Sequence, residues 1–117
     1  MSIERITRTP IMHRVVVSGD VLYLGGITAG DGKGLDMRAQ TEQVLAKAAD
    51  ILASAGSSKS KVLTATVYVT DMAAKAAMNE AWVAFFGEEN LPSRATVGVA
   101  NLGSPDTLIE VVITATR

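Results

Sequence analysis

Residues 107–116 alternate Ile109, Val111, Ile113 and Ala115 with Leu108, Glu110, Val112 and Thr114, so a strand here is apolar on both faces. A strand of that kind belongs to the interior of a sheet and needs cover on each side. Residues 61–70 repeat the pattern, with Leu63, Ala65, Val67 and Val69 set against Val62, Thr64, Thr66 and Tyr68, which predicts a second central strand.

The cover on one side is legible as two helices. Met37, Val44, Ala48, Ile51, Leu52 and Ala55 form one stripe at helical spacing, with Asp36 placed as N-cap and Gly56 just past the end. Asp71 is the expected cap of a second helix that carries Met78, Ala81, Trp82, Phe85 and Phe86 and stops at Gly87. Trp82 and the two phenylalanines read as core. Residues 12–17 and 21–26 are β-rich runs separated by Ser18-Gly19-Asp20, a hairpin turn, and residues 3–7 form an edge strand. Residues 94–100 supply one strand more. The order β-β-β-α-β-α-β-β predicts an α+β fold, a mixed sheet with two helices packed on one face, in a single domain spanning 1–117. Helices on one face leave the other face of the last strand bare, and a large apolar patch is rarely left in water, so the chain is expected to form a homo-oligomer.

Composition narrows the chemistry. Eleven basic and twelve acidic residues give a net charge of -1, which offers no electrostatic footprint for nucleic acid or an anionic membrane. There is no cysteine and only one histidine, His13, so neither a thiolate nucleophile nor a zinc site of ordinary composition is expected: metal none, cofactors none. No run is long enough to span a membrane and the N-terminus has no apolar stretch, so a cytoplasmic location is expected. The loop "AGDGKG" at 29–34 lacks the Gly-Lys-Ser/Thr ending of a phosphate-binding loop and reads as a mobile connection.

Two charges stand where an apolar core would have none. Arg94 opens an apolar strand, and Glu110 sits between Leu108 and Val112. A carboxylate so placed is paired, at an exposed edge, or catalytic; a pairing with Arg94 and a functional role both remain open on the residues alone.

The tail "PSRATVGVANL" followed by "LIE", the segment "MNEAWVAFF" and the segment "GLDMRAQTEQVLAKAADILASAG" resemble the RidA (YjgF) family of enamine/imine deaminases over almost the whole chain. The resemblance implies a chorismate-mutase-like homotrimer with clefts between subunits. It implies that Arg94 holds a substrate carboxylate, beside Asn79. Glu110, with the main-chain carbonyl of Thr96, would activate the water that attacks a C=N carbon, giving a 2-keto acid and ammonia without a cofactor. The implied partners are a small imino or keto acid and two further copies of the chain. Where the family often has a tyrosine this chain has Met12 or His13, and where it often has Ser-Gly this chain has Gly25 and Gly26, so His13 and Gly26 are expected in the pocket wall of a side-branch member. A trimeric module that binds carboxylate metabolites or regulates a partner would need Arg94 but not Glu110. Endoribonuclease activity, attached to some members, fits poorly with one histidine and a balanced charge.

Overall fold

The computed structural model describes residues 2–117. In chain order the elements are β1 (Ile3–Arg8), β2 (His13–Ser18), β3 (Val21–Leu24), β4 (Ile27–Thr28), α1 (Met37–Ser54), β5 (Val62–Val69), α2 (Lys75–Phe86), β6 (Ser93–Gly98) and β7 (Ile109–Thr116). The expected order is present, with one addition: the run 21–26 breaks after Leu24 and resumes as the short β4. Tyr23 pairs with Thr114 and Ile27 with Val111, so residues 24–26 stand opposite only 112 and 113. This one-residue bulge shifts the alternation, and Leu22, Leu24 and Ile27 all reach the core.

The sheet runs β1-β2-β3-β7-β5-β6, with β4 also on β7, so β7 and β5 are interior and β1 and β6 are edges. β5 and β6 are parallel, joined by the crossover through α2, while β7 is antiparallel to β3, β4 and β5. Both helices lie on one face. Val44, Leu45, Ala48 and Leu52 of α1 and Met78, Trp82 and Phe86 of α2 share one buried cluster with Val15, Leu22, Val67, Val69, Ile109, Val111 and Ile113. Across the open face the register aligns Val16, Tyr23 and Thr114, then Val112, Thr66 and Ala95, then Glu110, Tyr68 and Val97.

Three local expectations shift. The alternation of 61–70 sets Leu63 on one face with Ala65, but a bulge between Val62 and Thr64 turns Val62 into the core beside Ala65 and leaves Leu63 46% exposed. Asp71 caps a 3-10 turn, Met72–Ala74, by accepting from Ala73 N at 3.1 Å, and α2 starts only at Lys75. Asp36 caps α1 as expected, accepting from Ala39 N at 2.9 Å, and Gly56 follows the helix at a φ of 79° that other residues rarely adopt. The loop at 29–34 is tied down rather than loose. Gln40, wholly buried on α1, donates from Nε2 to the carbonyls of Leu35 and Asp106 at 3.1 and 2.7 Å, and its Oε1 accepts from Leu108 N at 2.8 Å. Thr107 Oγ1 donates to Gly30 O at 2.9 Å and Ser104 Oγ to Asp31 O at 2.9 Å.

Candidate functional site

Arg94 stands on edge strand β6 in register with Ala65, which is buried on the helix side, so its side chain leaves the sheet toward α2. Asn79 and Trp82, three residues apart on α2, share the helix face that meets it. Asn79 Oδ1 accepts from Arg94 Nη2 at 2.6 Å, and Arg94 Cζ lies 5.2 Å from the centroid of the Trp82 ring. The guanidinium is thus gripped at one nitrogen and backed by a ring. Its other N–H groups have no partner among the described residues, and it borders a hollow of about 370 Å³ with Asn79, Trp82, Val83, Leu91 and Pro92. Burial pushes the Arg94 pKa below its ordinary value, because partial desolvation penalises the cation. An anion brought to the free N–H groups would offset that penalty, and a planar fork is suited to a carboxylate.

Thr96 follows on β6, in register with Val67 and on the same face as Arg94. Val99 N donates inward to Val69 O, and main-chain groups alternate along a strand, so the carbonyl of Thr96 points outward from the sheet edge. It is free to accept from a ligand or water.

Glu110 occupies a different setting. On β7 it lies between Thr28 of β4 and Tyr68 of β5, on the face turned away from the helices, and it is half-buried. Its carboxylate rests over the backbone of Gly26: a Cβ on that glycine would overlap Glu110 Oε2 and lie 2.9 Å from its Cδ. Gly26 in turn borders a hollow of about 410 Å³ at the outer side of β4, with Arg14, Thr28, Lys47 and Asp50. That hollow is the larger of the two, but Lys47 Nζ already donates to Thr28 O at 2.9 Å and Asp50 opposes an anion. His13 pairs with Arg8 at the start of β2 and lines a small hollow with Met12, whose Sδ covers Gly25.

The predicted residues therefore fall into two groups. Arg94, Asn79 and Thr96 gather at the β6 edge on the helix side, while Glu110 and Gly26 meet on the open face, with Met12 and His13 toward the β2 end. The structure does not bring Arg94 near Glu110, contrary to the pairing considered from the sequence. They lie on opposite faces with β5 between them, and none of the ion pairs among the described residues includes either. Nor is Glu110 at a sheet edge. Trp82, read as core, is core and also the backing of Arg94; its spacing of three from Asn79 was the signal available. Tyr68 beside Glu110 was also missed, and would have required the β5–β7 register. Among the described residues no cluster of three His, Cys, Asp or Glu could hold a metal ion, and no helix is long and apolar enough to cross a membrane.

A mixed sheet with two helices on one face and an arginine stacked at its parallel edge defines a small α+β protein of the YjgF type. The chain belongs to that family: the family profile described as Endoribonuclease L-PSP matches residues 3–117. It is 36% identical over 113 residues to a RutC family protein of Haemophilus ducreyi, covering 97% of this chain and 95% of the relative. It is 35% identical over 115 residues to the RutC family protein YoaB of Escherichia coli, covering 98% of each. The crystal structure of a YjgF family member from Neisseria meningitidis superposes with a TM-score of 0.93 at 33% identity, covering all of this chain and 96% of that one.

Proposed function

We propose that the protein hydrolyses reactive 2-imino and enamine acids to 2-keto acids and ammonia. The observation that carries the reading is the Arg94 guanidinium, held by Asn79 and Trp82 with its remaining N–H groups turned to a hollow. Such a group takes a carboxylate in a fixed orientation. An adjacent imine carbon is already electrophilic, so a cofactor has no task. Glu110 removes a proton from water as its oxygen bonds to the C=N carbon; the nitrogen gains protons and leaves as ammonia, and the carbonyl forms as the C–N bond breaks. The Thr96 carbonyl helps to orient that water.

Opposite faces of one sheet cannot serve one small molecule. The site is therefore composite: Arg94, Asn79 and Thr96 from one subunit face Glu110, Gly26 and the Met12–His13 wall of a neighbour. The open face supplies the apolar contact for that assembly, a homotrimer with three clefts. The compartment proposed is the cytoplasm, where the amino-acid chemistry that releases such imines takes place.

A second reading, a carboxylate-binding module without turnover, draws on the same Arg94 geometry. RNA cleavage, suggested by the family description, has little support: His13 is the one histidine and the net charge is -1. The test is to mix the protein with freshly generated 2-imino acids and follow ammonia release and loss of semicarbazone trapping. Arg94→Lys keeps the charge but not the fork and should weaken both binding and turnover. Glu110→Gln should keep affinity for a 2-keto acid and lower turnover by roughly a hundredfold. Undiminished turnover in Glu110→Gln would leave the binding module as the better account.

A further inference from the structure

The wall around Arg94 has a composition that neither the fold nor the proposed chemistry requires. Of the six residues that border the hollow, only Arg94 and Asn79 are polar, and they are bonded to each other. The others are Trp82, Val83, Leu91 and Pro92. Val83 and Leu91 are 39% and 43% exposed, so they are apolar groups held in water rather than parts of the core. No second cation of the same chain lines this hollow, and the residue proposed to face it from a neighbour with a full charge is the anionic Glu110.

We propose that the hollow beside Arg94 selects ligands by an apolar side chain, taking short 2-oxo and 2-imino carboxylates with a hydrocarbon chain and rejecting those that end in a second charge. This deepens the function proposed above and rests on Arg94 as the carboxylate anchor. With the carboxylate on the guanidinium, the rest of a small ligand has Trp82, Val83, Leu91 and Pro92 to lie against. A hydrocarbon chain there removes its own surface and theirs from water, worth about a fourfold gain in affinity for each methylene fully covered. A terminal carboxylate would lose part of its hydration and find on this wall no second cation to offset the loss, only the uncharged N–H groups of Asn79 and Trp82.

The chain has a single tryptophan, and it is the ring that backs Arg94, so intrinsic fluorescence reports on this hollow. The experiment titrates the protein with pyruvate, 2-oxobutanoate, 2-oxopentanoate and 2-oxoglutarate, with calorimetry as a second readout. Dissociation constants should fall about fourfold with each methylene along the first three. 2-Oxoglutarate, matched in carbon count to 2-oxopentanoate, should bind at least about tenfold more weakly than it. Leu91→Ser and Val83→Ser alter exposed side chains and should flatten the gradient, and sedimentation of both variants checks that the oligomer is intact. Equal binding of the two five-carbon acids, or a gradient that survives both substitutions, overturns the inference and leaves Arg94 as anchor intact. If no 2-oxo acid gives a signal by either method, the anchor itself is wrong and the selectivity falls with it.

Discussion

Gly26 is fixed by a carboxylate rather than by backbone twist. Its φ is not among the positive ones, so an alanine would meet no backbone strain, only the Glu110 carboxylate resting where the Cβ would go. The end of a glutamate side chain can move aside cheaply, so Gly26→Ala should fold with a stability change of less than about 1 kcal/mol. The displaced carboxylate would no longer hold water correctly, and a shift of about 1 Å at a reacting group costs on the order of a hundredfold in rate. Thermal unfolding and kcat measured on the same preparation test this, and unchanged turnover would remove Glu110 from the proposed mechanism. Arg94 and Glu110 were both visible in the sequence because each interrupts an apolar strand. Their faces were not. β6 alternates Arg94, Thr96 and Gly98 with Ser93, Ala95 and Val97, two sets too similar in polarity to say which one meets the helices.

The elements were largely legible, since periodicity and caps act over a few residues. The irregularities were not, because a bulge is decided by pairing with a strand far away in sequence. Leu63 shows this: the alternation of 61–70 is regular on paper, but pairing Val62 with Ala115 and Thr64 with Thr114 squeezes Leu63 out of the ladder. Gln40 shows it for a helix. Nothing local marks it as core, because its partners at Asp106 and Leu108 lie at the other end of the chain. Its amide joins the loop after β4 to the loop before β7, which fixes where Glu110 begins to point. Gln40→Leu keeps the volume but orphans a buried N–H and several carbonyls, at a cost of roughly 2–3 kcal/mol. A fall in melting temperature on the order of 10 °C, with faster hydrogen exchange at Leu108 N–H, is expected. An unchanged melting temperature would show that water replaces the clamp without loss.

At the scale of the whole molecule the sequence pointed to partners, through a β7 strand apolar on both faces, but not to how copies would divide a site. The structure shows the separation that such sharing would have to bridge. Arg94 leaves one face and Glu110 the other, two strands apart, a lateral separation of about 10 Å with the sheet in between. If each cleft takes its arginine from one subunit and its glutamate from the next, two dead variants can rescue each other. Arg94→Ala and Glu110→Gln should each be nearly inactive alone and of trimeric mass by sedimentation. Unfolded together in equal amounts and refolded as mixed trimers, they should regain activity. A cleft is intact only when the subunit giving the arginine is the Glu110→Gln chain and the one giving the glutamate is the Arg94→Ala chain, so random assembly restores about one quarter of wild-type activity. Simply mixing the folded variants should restore it only as fast as subunits exchange. Mixed trimers that remain as inactive as the parents would mean that one chain holds both working groups, and a monomer by sedimentation would remove the shared cleft altogether.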